Sequence, residues 1–324
     1  MRAETSTDLR AANGLSEMLL RDFFSALYVN RPRVQSPRTR EFYRDEISKL
    51  DRHNGEPVAL SGLSEALVLS SCRSQLLAGR SFATVQKHQT AIRALWAYAF
   101  RKSAQISVAV AQVPDFERWP RYDREPVSYS GDELASIFES ALRQVGNYGQ
   151  TSAGLFWAAL ILTAYETGCR ISAIMAAKWS DYDPQQGILL FRAEAAKDRA
   201  DTKCHLSSQL RGLLDSMPRE ALTVFGCFPF DRAPKSNWRA LNRRLKAILA
   251  DAKVVTEPRV LFHKFRKTFA TNVASVKGEA IAQSMLGHSS LAVTRRYLDK
   301  SKLDLPKSCE ILPPITLRPL RIAQ

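Results

Sequence analysis

Residues 262–276, FHKFRKTFATNVASV, predict an amphipathic helix with Phe262, Phe265, Phe269, Val273 and Val276 on one apolar stripe. His263 and Arg266 stand three residues apart at the margin of that stripe, so both can act on one ligand. An imidazole moves a proton near neutral pH, and a guanidinium grips two phosphate oxygens at once. The pair suits a phosphodiester. Downstream, Gly287 ends one predicted helix, His288 follows at once, and Ser290 precedes a short helix carrying Arg295, Arg296 and Tyr297. A second imidazole and a phenol therefore lie nine residues apart on adjoining elements. Each residue alone has an ordinary reading, such as a partly buried histidine, a helix terminator or a packed aromatic. The order of the set is what points to chemistry.

The rest of the chain fits such a substrate. Its 324 residues are 45% hydrophobic and 24% charged, enough to bury a core across two domains, which excludes a disordered chain, a collagen-like fibre and a disulfide-stapled miniprotein. Lys and Arg number 47 against 32 Asp and Glu, a net charge of +15. Both halves share the excess, with 19 basic and 14 acidic residues up to Ser130 and 28 and 18 beyond it. A polyanionic partner follows, and nucleic acid fits best. Gly154 to Tyr165, the longest weakly polar run, is too short to cross a bilayer, and Met1 to Gly14 is polar, so a cytoplasmic protein without a membrane partner is expected. Cys72, Cys169, Cys204, Cys227 and Cys309 are scattered, without a C-x-x-C pair, which suggests neither a disulfide framework nor a zinc site. No Walker-type loop and no H-E-x-x-H occur, so neither metal nor cofactor is expected.

Periodicity divides the chain. From about Leu15 to Phe100 the pattern is that of a four-helix bundle: Leu15, Leu19, Phe23 and Leu27 recur every four residues, Ser64 caps a helix to Leu77, and Ser81 caps one carrying Val85, Ile92, Leu95, Trp96 and Ala99. Residues 113–130 hold three prolines and no sustained period, which predicts an extended linker between a domain over 1–112 and one over 131–324. In the second domain Ser130 starts a helix with Leu134, Ile137, Phe138 and Leu142 inward, an apolar helix over 153–166 stops at Gly168, and a short helix spans Ser172 to Lys178. Ile188 to Phe191 and Lys203 to Leu206 predict strands joined by a polar turn at 197–201. In Ser236 to Ala250, Trp238, Leu241, Leu245, Ile248 and Leu249 face inward and leave Arg239, Arg243 and Lys246 outside.

Four stretches carry a family resemblance. Thr167-Gly168-Cys169-Arg170-Ile171-Ser172, the run from Phe262 to Thr271, Leu286-Gly287-His288-Ser289-Ser290 and Thr294-Arg295-Arg296-Tyr297 resemble, in order and spacing, the tyrosine recombinases, or phage integrase family. Ser36-Pro37-Arg38-Thr39 and the helix opened by Ser81 are similar to that family's core-binding domain. The resemblance implies a mainly α fold with a small antiparallel β-sheet, in which a helical core-binding domain and a catalytic domain form a C-shaped clamp on double-stranded DNA. It implies that Arg170 and Arg266 bind the scissile phosphate, that Tyr297 attacks it to leave a 3′-phosphotyrosyl enzyme, that His263 accepts the phenolic proton and that His288 hydrogen-bonds the phosphate. Lys197, in the predicted hairpin, would protonate the leaving 5′ oxygen, with Lys203 across the turn as the alternative. A homotetramer on paired sites is implied, working without metal or ATP.

Arg80, Lys87, Arg239 and Arg243 are candidate phosphate contacts, although an exposed basic helix face is ordinarily just solvated. The alternatives are a type IB topoisomerase, a catalytically silent DNA-binding regulator on the same fold and a basic RNA-associated protein. Two departures stand out. Ala173 occupies a position where the family often carries an acid, and the tail beyond Leu298 holds Pro306, Pro313, Pro314 and Pro319, which argue against one long terminal helix.

Overall fold

A computed structural model describes residues 18–120, 125–193, 200–229, 234–255 and 261–303, with the backbone alone at 234–237. Backbone proximity divides the chain into two units, Met1–Asp123 and Arg124–Gln324, and the division falls inside the stretch 113–130.

The first unit is built from α1 (Leu20–Ala26), α2 (Pro37–Asn54), α3 (Glu65–Leu77) and α4 (Phe82–Ile106). The start of each longer helix is written locally. Ser36, Ser64 and Ser81 accept hydrogen bonds from the backbone N–H of Thr39, Leu67 and Thr84, and Pro37 takes the first helical position, where its missing N–H costs nothing. Leu20, Phe23, Leu50, Val68, Ile92, Leu95 and Trp96 fill the core. The expected row through Leu15 and Leu19 is corrected: Leu19 is extended and bridges Ala59, so α1 starts at Leu20 and buries Leu20, Phe23 and Phe24, while Leu15 lies outside the described residues. Buried His88 ties three helices, with Nδ1 2.8 Å from Glu46 Oε2 and Nε2 3.1 Å from Ser71 Oγ. The beginning of the predicted linker is docked. Phe116 is buried in this core, Gln89 Nε2 donates to the Glu117 carbonyl at 3.0 Å, and the Trp119 N–H donates to Gln86 Oε1 at 2.8 Å.

The second unit is mostly helical with small antiparallel sheets. It begins with α5 (Gly131–Leu142), opened by a reciprocal cap between Ser130 and Glu133. A hairpin of β1 (Asn147–Tyr148) and β2 (Thr151–Ser152) leads into α6 (Ala153–Thr167) and α7 (Ile171–Ala176). The strands β3 (Tyr182–Asp183), β4 (Ile188–Phe191) and β5 (Thr202–His205) pair antiparallel in that order, with Leu189 opposite both Tyr182 and Cys204. Then come α8 (Ser208–Asp215), α9 (Pro234–Asp251), α10 (Leu261–Lys277), α11 (Glu279–Leu286) and α12 (Leu291–Arg295).

Helix α6 has almost no polar side, and Phe156, Trp157, Leu160, Ile161, Thr163 and Ala164 are all buried. Helix α10 differs from a simple amphipathic helix. Lys264, Arg266, Thr268 and Thr271 are buried together with Phe262, Phe265, Phe269 and Ala270, so its first three turns are enclosed around nearly their whole circumference. Two expected core positions are exposed instead. Val276, at 75%, sits in the last turn of α10 beyond the cluster formed by Phe269, Ala270 and Ala274, and Leu142, at 48%, ends α5, whose contact with α9 is made by Ser140 Oγ donating to the Ile248 carbonyl at 3.0 Å. Among the described residues no helix is long and apolar enough to cross a membrane.

Candidate active site

The site forms where the end of α6, the first turns of α10 and the α11–α12 turn meet. Helix α6 stops because Gly168 turns left-handed, at φ +60°, and a Cβ there would collide with the Phe269 ring of α10. Glycine is therefore required twice, by the backbone conformation and by the close approach of α10. The turn brings the Gly168 carbonyl to Arg266, whose Nη1 donates to it at 2.7 Å, and sets Arg170, half-buried, at the head of α7.

Arg266 is only 3% exposed, and its guanidinium is held from two further directions. Nη2 donates to the Leu286 carbonyl at 3.0 Å and approaches His288 Nε2 at 2.9 Å. An arginine cannot accept, so His288 Nε2 is the acceptor and its Nδ1 carries the hydrogen, donated to Thr294 Oγ1 at 2.9 Å. Gly287, left-handed at φ 65°, makes the turn that aims His288 back into the site. Thr294 lies three residues before Tyr297 and accepts the Tyr297 N–H on its carbonyl at 2.7 Å. A continuous chain of hydrogen bonds thus runs from Gly168 through Arg266, His288 and Thr294 to the backbone of Tyr297.

The Tyr297 ring sits among the other groups. Its centroid is 4.9 Å from that of His263 and 4.8 Å from that of His288, and the Arg266 guanidinium carbon lies 5.5 Å from it. The His263 pKa is pushed down to about 4, by burial among these side chains and then by the charges of Arg266, Lys267 and Arg170. His263 is exposed to solvent, so the charges are the portion of this effect that an arriving anion can cancel. At neutral pH the imidazole is unprotonated, the form that accepts a proton. In imidazole NMR of the DNA-free protein, with the signal assigned by its loss in His263→Asn, His263 is expected to titrate near pH 4. Added duplex DNA should move that midpoint upward, because a phosphate favours the imidazolium. A midpoint at the ordinary histidine value would contradict the combined effect of burial and the cationic field.

The same field reaches Cys169. Its thiol is held below the ordinary range by contact with the Cys204 thiol, which outweighs burial, with help from Thr167 and the charges of Arg266 and Arg170. Cys204 points from β5 toward the arginine loop, and successive side chains alternate across a strand, so Lys203 points from the opposite face. Lys203 instead lines a separate shallow hollow with Asp181, Tyr182 and Gln186. Lys197 and most of its predicted turn lie outside the described residues, as does Cys309. Arg80, Lys87, Arg239 and Arg243 are all exposed. Ala173 is buried at 6% exposure in the main core, where its methyl group brings no carboxylate to Arg170. Among the described residues no group of three or more His, Cys, Asp and Glu side chains is gathered for a metal ion.

The sequence reading missed Thr294, although its spacing of three before Tyr297 on a short helix was a usable signal. Ser128, Thr268, Thr271 and Asp299 also went unmarked, because the contacts that link them to one another span from 28 to 171 positions.

Residues 132–303 match the family model described as the phage integrase family. A protein from Pseudomonas aeruginosa named putative tyrosine recombinase XerC is 23% identical over 277 residues, covering 80% of this chain and 64% of its own length. A putative integrase/recombinase, y4qK, from Sinorhizobium fredii is 30% identical over 162 residues, covering 50% of this chain and 51% of its own length. The chain thus spans between about half and just under two thirds of these two curated relatives. Among solved structures, a lambda integrase tetramer bound to a Holliday junction superposes with a TM-score of 0.65 over 95% of this chain and 84% of that one, at 16% identity, a likeness of fold.

Proposed function

This chain belongs to the phage integrase family, and on that premise we propose that it is a site-specific DNA recombinase that cuts and rejoins double-stranded DNA through a 3′-phosphotyrosyl intermediate. The observation that supports this reading is the convergence of the Tyr297 ring with both imidazoles and the Arg266 guanidinium.

Arg170 and Arg266 take the non-bridging oxygens of the scissile phosphate and stabilise the charge that builds on them. Arg266 does so by turning its Nη2 donor from His288 Nε2 to a phosphate oxygen. The Thr294 hydroxyl can accept or donate, so it also supports the tautomer in which His288 Nε2 carries the hydrogen and gives it to the phosphate. The Tyr297 oxygen attacks phosphorus while its proton passes to His263. The bond from phosphorus to the 5′ oxygen breaks, and Lys197 protonates that oxygen. Lys203 is the weaker choice for this step because it points away from the Cys169 face of β5. Reversal with a second 5′ hydroxyl reseals the strand. One phosphodiester is exchanged for another of similar energy, so the chemistry calls on neither ATP nor metal. Four strands must be cut in a full exchange, hence a homotetramer on two paired sites. Exposed Arg80, Lys87, Arg239 and Arg243 contact phosphates, and affinity should fall steeply with salt.

The test uses nicked duplexes drawn from DNA flanking the gene, incubated with the protein in EDTA. A detergent-resistant adduct is expected, with its tryptic phosphopeptide containing Tyr297. An adduct on another residue, or one abolished by chelation, would overturn the mechanism.

A further inference from the structure

The segment just after Tyr297 is firmly fastened. Leu298 is 1% exposed, in a cluster with Phe269, Ala270, Ala274, Ala282 and Leu286. Asp299 is 6% exposed, and its carboxylate accepts four hydrogen bonds. Oδ2 takes the Ser128 N–H at 2.8 Å and the Ser128 hydroxyl at 2.9 Å, while Oδ1 takes the Ser301 N–H at 3.2 Å and the Ser301 hydroxyl at 2.6 Å. The Asp299 N–H donates to Thr271 Oγ1 of α10 at 2.9 Å. Lys302 Nζ donates to the Tyr129 carbonyl at 2.9 Å. Residue 129 is tied to the same helix, its N–H donating to Thr268 Oγ1 at 2.9 Å. Two buried threonines three positions apart on α10 therefore hold the two segments that Asp299 joins.

Against this, Tyr297 itself is only half-buried. The phenol stands on a short span anchored upstream by the His288–Thr294 bond and downstream by Asp299. A nucleophile misplaced by an ångström loses in-line geometry at phosphorus, even when every other group is intact.

We propose that Asp299, gripping Ser128, is a positioning residue that holds this chain's own Tyr297 in its own active site. The inference rests on the reading of Tyr297 as the nucleophile. Burial alone would raise the Asp299 pKa, but the hydrogen bonds from Ser301 and Ser128 outweigh it and leave the group ionised at neutral pH, an acceptor at both oxygens. Asparagine in its place has nearly the same shape but turns an NH₂ toward one of these donor pairs.

The experiment compares wild type, Asp299→Asn and Ser128→Ala in single-turnover cleavage of a nicked suicide duplex, with DNA affinity and thermal unfolding measured in parallel. Asp299→Asn is expected to slow cleavage by about 10²-fold while DNA affinity keeps its wild-type value. Ser128→Ala, which retains the backbone donor and is the milder change should Asp299→Asn fail to fold, should slow cleavage less. The double variant should lose less than the two single losses combined, because both remove one contact. Unchanged cleavage in folded variants, or losses of cleavage and DNA affinity in equal proportion, would overturn the positioning role. Failure of wild type itself to form an adduct at Tyr297 would instead refute the underlying reading.

Discussion

Replacing Tyr297 by Phe is expected to abolish the covalent protein–DNA adduct and to lower strand cleavage by about 10⁴-fold or more. The change removes a single oxygen. The ring remains between the imidazoles of His263 and His288, at 4.9 and 4.8 Å, and the backbone N–H still reaches the Thr294 carbonyl. Folding, DNA affinity and its salt dependence should therefore match wild type, since phosphate contacts made by Lys and Arg set them. Gel shift and detergent-resistant adduct formation on one duplex separate the two properties. An adduct formed by the phenylalanine variant would mean that another side chain attacks.

Arg266→Ala is expected to damage both fold and chemistry. The side chain is 3% exposed and serves the carbonyls of Gly168 and Leu286 and Nε2 of His288. Each buried acceptor left without its donor costs about 1–3 kcal/mol. A fall of several kcal/mol in unfolding free energy should appear as a lower denaturant midpoint. Cleavage should drop by about 10³-fold from loss of transition-state charge stabilisation. Arg266→Lys separates these effects: an ammonium keeps the charge and serves some of the acceptors, but lacks the planar fork. It should recover much of the stability and stay slow in cleavage. A stable, fast Arg266→Ala would show that the guanidinium does not hold the α6, α10 and α11 ends together.

Much of this site can be read from local sequence, because its groups come with local signals. The serine caps at Ser36, Ser64, Ser81 and Ser130 and the stop at Gly168 announce helix ends by chemistry acting within four residues. The spacing of His263 from Arg266 and of His288 from Tyr297 is likewise local. What escapes the reading is non-local. Asp299 meets Ser128 across 171 positions, and Arg266 meets the Gly168 carbonyl across 98. Lys264 gives no local sign of its burial, with its ammonium 4.1 Å from the centre of the Tyr129 ring. Strands β1 and β3 hold two residues each, too few for any alternation to show. Leu19 has the helical period, but pairing with Ala59 draws its backbone into the extended form.

The enclosure of α10 also sets the terms on which the molecule can diversify by descent. A helix hemmed in around most of its first three turns tolerates few replacements, and here those turns carry His263, Arg266, Thr268, which holds Tyr129, and Thr271, which holds the segment after Tyr297. Helix α9 is the reverse case: Arg239, Arg243, Arg244 and Lys246 all point to solvent and can be exchanged without disturbing a core contact. Gene copies are therefore free to diverge along the exposed face of α9, whereas a lineage that alters α10 disturbs the core and the candidate site together.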